Sequence, residues 1–266
     1  MIVRVATGLV CLPILFAVIW FGSPVLTGLV ALIAVVGFWE LRRLATELDI
    51  APPLIPGIIW SAAIVVLGGG NSGYLIEVLS IGILATLSWL VITSKKRYSL
   101  SAWGISIAGP IYVSLPLSFA LLIRSSEHGR EWLLLVVSVT FTTDSFAYLA
   151  GRLIGKHQLV PHLSPGKTWE GAIAGLLGGV GCALGVSTIL NLFVAAPFIT
   201  WWQSLILGTL LGLVAQVGDL AESFLKRLAK VKEASNLVPG HGGLLDRLDS
   251  IVFTLVVMYY WIQWVK

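Results

Sequence analysis

The residues best suited to chemistry lie in the second half of the chain, and their side chains offer oxygens and cations. Asp219, then Glu222 or Ser223, then Lys226 and Lys230 fall at steps of three or four, so a helix through them would carry them on one face. A carboxylate followed by cations along one face suits a metal ion backed by a polyanion. Val238-Pro239-Gly240-His241-Gly242-Gly243 follows, and its glycines permit positive φ and close approach of the backbone to a ligand. Asp246-Arg247-Leu248-Asp249 then sets two carboxylates three apart, on one face of a helix that starts there. Upstream, Ser164-Pro165-Gly166-Lys167-Thr168-Trp169-Glu170-Gly171 puts a cation and two hydroxyls before a helix start, where free N–H groups and the helix dipole favour an oxyanion. Ordinary N-capping by Thr168, with Glu170 in the first turn, explains much of the same string. The glycine spacing of a Walker A loop is missing.

Asp144 stands apart, inside the apolar run Leu133–Leu149. Counted from Trp132 it lies about 18 Å along a helix, nearer the cytoplasmic end of a core about 30 Å thick. A carboxylate there costs several kcal/mol unless it is paired, hydrated or bound to a metal. All these ligand candidates are oxygens, which suits Mg²⁺ sharing its coordination with substrate phosphates and argues against zinc at His241. No Ser-His-Asp or Cys-His arrangement has convincing spacing.

The elements that must position these groups are membrane helices. Of 266 residues, 57% are hydrophobic and 11% charged, against about 25% charged in an average soluble domain. That composition excludes a soluble globular domain and a disordered chain. Cys11 and Cys182 both lie in apolar runs and read as packing residues rather than a disulfide or metal site. The fold class is therefore all-α and polytopic, with about nine spans near Thr7–Phe21, Pro24–Trp39, Leu54–Gly68, Tyr74–Ile92, Trp103–Ile123, Trp132–Gly151, Glu170–Leu190, Trp201–Gly218 and Leu248–Trp264. The first leads straight into the second through Phe21-Gly22-Ser23-Pro24 and reads as a retained helix rather than a signal peptide. With the N-terminus inside, 14 of the 17 Lys and Arg fall in cytoplasmic segments; Arg124, Arg130 and Lys266 are the other three. Trp20, Trp39, Trp89, Trp103, Trp132, Trp201, Trp202 and Trp264 sit near helix ends, as interfacial anchors do, although core packing accounts for a share of them. Two regions result. Residues 1–123 are apolar helices in which no chemistry is read, and residues 124–266 carry an active site at the cytoplasmic face, with its signature at 216–250.

That signature resembles the one shared by phosphatidate cytidylyltransferases (CDP-diacylglycerol synthases). Theirs reads Ser-x-x-Lys-Arg, four residues, Lys-Asp, five residues, then Pro-Gly-His-Gly-Gly-x-x-Asp-Arg-x-Asp. Here it stands as Ser223-Phe224-Leu225-Lys226-Arg227, Lys232-Glu233, then Pro239-Gly240-His241-Gly242-Gly243-Leu244-Leu245-Asp246-Arg247-Leu248-Asp249, with Glu233 in place of Asp. The stretches from Asp144 to Tyr148 and from Ser164 to Gly171 are similar to the same family. The resemblance implies transfer of a cytidylyl group from CTP to phosphatidate, giving CDP-diacylglycerol and pyrophosphate, with Mg²⁺ and room for a second cation. It implies Asp219 and Asp246 as metal ligands, with Asp144 and Asp249 as further or indirect ones. Lys226, His241 and Arg247 join Asp219 and Asp246 as catalytic residues. Ser164, Lys167, Ser223, Arg227, Lys232, Gly242 and Gly243 are the expected substrate-binding residues. A homodimer in a bacterial inner (plasma) membrane is the expected setting, with membrane lipid and no nucleic acid as partner.

Two other classes remain open at this point. A cation- or proton-coupled transporter would use Asp144 and the glycines Gly171, Gly175, Gly178, Gly179, Gly181 and Gly185 as a path, although polar residues crowd one membrane face and close helix packing explains the glycines. A CTP-dependent lipid kinase shares the substrates and would release CDP.

Overall fold

Long apolar runs leave the backbone to satisfy its own hydrogen bonds, and the chain does so chiefly by forming helices. The computed structural model describes residues 13–70, 74–93, 99–235, 237 and 242–265. Helix α1 covers 13–21. It is followed by α2 (Val25–Thr46), α3 (Leu54–Ala63) running into a π-helical turn at Ile64–Gly68, α4 (Leu75–Thr93) and α5 (Leu100–Arg124). After α6 (Gly129–Ile154) come strands β1 (Gln158–Val160) and β2 (Ser164–Thr168), then α7 (Trp169–Asn191), α8 (Trp201–Leu228) and α9 (Leu245–Val265). Seven helices, α2 and α4–α9, are long and apolar enough to cross a membrane among the described residues, and Leu54–Gly68 is a shorter apolar helix. Residues 7–12 of the first expected span lie outside the described residues, as do Cys11 and the basic run Lys95-Lys96-Arg97.

The chain divides into two compact units, Met1–Ser125 with Leu225–Leu248, and Ser126–Phe224 with Asp249–Lys266. In the first, Phe38 of α2 is fully buried, with its ring against Gly57 of α3 and Gly109 of α5. Trp60 packs over Gly82 of α4 and donates its indole N–H to the Val78 carbonyl at 2.9 Å, so the buried ring has its polar edge satisfied.

In the second unit, α6 and α7 approach closely because α7 presents glycine every fourth residue to α6. A Cβ on Gly171 would stand 2.7 Å from the Ala147 carbonyl oxygen, and one on Gly175 would stand 2.9 Å from the Thr143 carbonyl oxygen. Gly179 faces the Thr143 hydroxyl, whereas a Cβ on Gly181 or Gly185 would meet no packing neighbour within 4 Å among the described residues. Part of the glycine pattern is therefore helix packing, as in other close membrane helix pairs. Buried hydroxyls tie α6 to α9, with Thr140 and Thr254 3.0 Å apart. Trp132 is 4% exposed and meets the Phe198 ring edge-on at 4.7 Å, so it packs in the core, whereas Trp201 and Trp264 are 74% and 84% exposed.

The all-α expectation holds with one addition, the antiparallel hairpin β1–β2, which pairs Gln158 with Thr168 and Val160 with Ser164. Glu170 closes this hairpin onto α7. Its carboxylate accepts the Lys156 and His157 backbone N–H groups at 3.2 and 3.3 Å and stands 2.6 Å from His157 Nδ1. Helix α8 runs ten residues past the expected end of its span at Gly218. It stops in a Schellman turn, with Lys230 at φ 57° and the Val231 N–H on the Lys226 carbonyl at 3.0 Å. Asp219, Glu222, Ser223 and Lys226 are thus helical as expected, and Lys230 is not.

Candidate active site

In the second unit a cavity of about 440 Å³ opens among α6, the hairpin, α7 and α8. Asp144, Tyr148 and Arg152 line it from α6, Lys167 and Thr168 from the hairpin, and Gln216 and Asp219 from α8. Spacing explains each set: residues 144, 148 and 152 follow one another at helical steps of four, as do the small residues Ala147 and Gly151 beside them. Thr168 caps α7, accepting the Gly171 N–H at 3.1 Å, so the preceding Lys167 is fixed at the helix start. From there Lys167 Nζ reaches Asp219 at 2.8 Å. Asp144 accepts the Ser250 hydroxyl at 3.2 Å. Asp249 holds the Ser250 backbone N–H at 2.7 Å. Gln216 bridges helices, donating to the Ala172 and Gly212 carbonyls at 3.2 and 3.1 Å.

The cavity thus gathers Asp144, Asp219 and Lys167, three residues singled out from sequence 75 positions apart. It also contains three that sequence reasoning passed over. Gln216 opened the signature without a role, and Tyr148 stood in the family-like stretch without one. Arg152 fits the topology pattern in sequence, yet its guanidinium reaches the Tyr148 hydroxyl at 3.3 Å on the cavity wall. The spacing Asp144–Tyr148–Arg152 was the available signal. Ser164, by contrast, is paired with Val160 in the hairpin and does not line the cavity.

The first unit holds a further charged cluster among the described residues. Lys226 Nζ lies 2.5 Å from Asp246 Oδ1, with side chains 13% and 6% exposed. Asp246 Oδ2 accepts the Ala234 and Gly243 backbone N–H groups at 3.0 and 2.8 Å. Both oxygens of Asp246 are therefore engaged by its own loop and by the end of α8. Gly242 sits at φ +82°, and a Cβ there would press on Asp246 Oδ2 at 2.9 Å. The first glycine of the pair is thereby accounted for inside the protein, by a carboxylate it must accommodate. Ser223 is half-buried on α8, and Arg227, Lys232 and Arg247 are exposed. Arg227 donates to the Val231 carbonyl at 3.3 Å. His241, Pro239 and Gly240 lie outside the described residues.

Among the described residues no three His, Cys, Asp or Glu gather tightly enough to hold a metal alone. The donor set nevertheless fits Mg²⁺. Two Asp carboxylates face one cavity whose described lining carries no thiolate or imidazole, and Mg²⁺ takes one or two carboxylates and completes its shell with water and substrate phosphate.

Comparison with known proteins bears on the whole length. The model of a family described as the cytidylyltransferase family matches residues 2–265. A Staphylococcus saprophyticus protein named phosphatidate cytidylyltransferase is 32% identical over 261 residues, 96% of each chain. Proteins of that name from Staphylococcus epidermidis and Staphylococcus aureus are 31% identical, again over 96% of each chain.

Proposed function

Since this chain belongs to the cytidylyltransferase family, we propose that it transfers a cytidylyl group from CTP to phosphatidate, giving CDP-diacylglycerol and pyrophosphate for phospholipid synthesis. The observation that carries the reading is the cavity that sets Asp144 and Asp219 against Lys167, in a chain that matches the family end to end.

The chemistry asks little of a general base. A phosphomonoester has its second pKa at about 6, so the phosphate is already largely a dianion at neutral pH and its oxygens are nucleophilic without help. One of them attacks the α-phosphorus of CTP in line; a new P–O bond forms, the bond to the β-phosphate oxygen breaks, and pyrophosphate departs with the electron pair. The barrier is repulsion between a dianion and a triphosphate, so the protein's work is neutralisation and alignment. Asp144 and Asp219 would hold Mg²⁺, with Asp249 as a further carboxylate, and the ion when bound would neutralise phosphate oxygens. Lys167 and Arg152 supply positive charge to phosphate at the cavity, with Thr168 and the first turn of α7 beside them. To Asp246 we assign the holding of its loop through Lys226 and two backbone N–H groups. Lys226, Arg227, Lys232, His241 and Arg247 are assigned to phosphate binding from the signature, Ser223, Gly242 and Gly243 to shaping that segment, and Ser164 to the hairpin that carries Lys167.

The chain is a multi-pass membrane protein. We place its N-terminus in the cytoplasm with nine spans, counting α1 and Leu54–Gly68, in a bacterial plasma membrane. The catalytic region is 124–266, and the working form is a homodimer. The test is CDP-diacylglycerol formation by purified Asp144→Asn and Asp219→Asn enzymes at saturating Mg²⁺. Each loses about 10²–10³-fold in turnover if the carboxylates act as assigned; near wild-type rates in both would refute the assignment.

A further inference from the structure

Glu40 lies on the apolar helix α2, in the half of the chain where the sequence shows no chemistry, and it is completely buried. A carboxylate removed from water needs strong donors close by. Its donors come from about 200 residues away. The Ser235 hydroxyl is hydrogen-bonded to Oε1, the Leu244 N–H donates to Oε1 at 2.9 Å, and the Leu245 N–H donates to Oε2 at 2.5 Å. Leu245 begins α9 and Leu244 immediately precedes it, at a helix end whose first N–H groups have no partners within the helix and whose dipole favours negative charge. Glu40 therefore caps α9 from another helix and grips Ser235 on the near side of the signature loop.

The fit extends to the glycine between these contacts. A Cβ on Gly243 would stand 2.7 Å from Glu40 Oε1, so the second glycine of the pair is required by this carboxylate. The same short stretch supplies the Ala234 and Gly243 N–H groups that hold Asp246, and Asp246 holds Lys226. From this chain of contacts we infer that Glu40 is a positioning residue for the signature loop: it sets the loop that orients Lys226 and Asp246, and through them the binding of the CTP triphosphate.

The inference rests on the proposed reaction for its kinetic arm and on the structure alone for its other arm. In Glu40→Gln the side chain keeps its shape, loses its charge and turns an N–H₂ toward backbone donors. Hydrogen exchange at Leu244 and Leu245 then speeds up about tenfold or more relative to wild type, while α6 and α7 exchange as before. KM for CTP rises about fivefold or more, with KM for phosphatidate within about twofold of wild type. A mere loss of folded enzyme lowers the rate and leaves both KM values unchanged. Ser235→Ala, which removes one of the three donors, shifts both readouts in the same direction by less, and the double variant is no worse than Glu40→Gln alone. If Glu40→Gln does not fold, Ser235→Ala decides. Unchanged exchange at Leu244 and Leu245, or an unchanged KM for CTP in an active enzyme, would overturn the inference. Wild-type protein that makes no CDP-diacylglycerol would instead overturn the proposed reaction, and the exchange arm would still decide the role of Glu40.

Discussion

Gly175→Ala and Gly181→Ala make the same chemical change six residues apart on α7, and the structure assigns them opposite outcomes. At Gly175 the new Cβ would stand 2.9 Å from both the Thr143 carbonyl oxygen and the Ala147 Cβ, whereas at Gly181 it would meet no packing neighbour within 4 Å among the described residues. Ordinary contact begins near about 3.4 Å, so α6 and α7 must part by about 0.5 Å around Thr143, at an overpacking cost of about 1–3 kcal/mol. Replacing glycine in a helix returns about 0.5–1 kcal/mol at either site. The net is a loss of up to about 2.5 kcal/mol for Gly175→Ala and a small gain for Gly181→Ala. For a chain of this size that is a fall in Tm of up to about 10 °C against a rise of a few degrees. Asp144 follows Thr143 directly, so the same displacement moves it relative to Lys167 and costs about tenfold in turnover, half the logarithmic effect of a 1 Å misplacement. Turnover per folded protein in mixed micelles and thermal unfolding in detergent read both effects. Equal behaviour of the two variants, or a silent Gly175→Ala, would refute the reasoning.

Further consequences can be checked with the same preparation. Lys226→Met leaves the nearly buried Asp246 carboxylate without its cation and lowers stability by about 3 kcal/mol; adding Asp246→Asn recovers part of that loss in chemical denaturation. Gly243→Ala drives a methyl group into the Glu40 carboxylate and lowers CDP-diacylglycerol formation about tenfold or more, measured by product chromatography. Removing divalent ions with a chelator abolishes turnover, and Mg²⁺ restores it better than Ca²⁺, whose larger shell suits the two-carboxylate cavity less well.

Three residues that line the candidate cavity were legible because chemistry in an apolar chain is conspicuous. Asp144 declared itself by its cost in lipid, and Lys167 by its place before a helix start. Asp219 stood at the head of a helical face. The hairpin from Gln158 to Thr168 was not legible: β2 reads Ser-Pro-Gly-Lys-Thr, and proline and glycine are depleted in strands. The end of α8 was hidden for a related reason. It turns at Lys230 with positive φ, where no glycine or proline marks the stop. Glu40 was missed because its donors are remote in sequence and its neighbours Arg42 and Arg43 fit a topology signal. The glycines Gly242 and Gly243 were noticed for the room they leave a ligand, whereas the described contacts show room left for Asp246 and Glu40. The spans on α4–α9 were readable from hydropathy alone, since a lipid-facing helix needs only length and apolarity.

The most direct test follows both ends of the CTP triphosphate. Purified protein is given phosphatidate, Mg²⁺ and CTP labelled separately on its α- and γ-phosphates. The account predicts that the α-label enters the lipid fraction while the γ-label leaves as pyrophosphate. Entry of the γ-label into lipid would contradict it and mean kinase chemistry; transfer of neither label, where a known synthase works, would contradict it and bring forward a transport role.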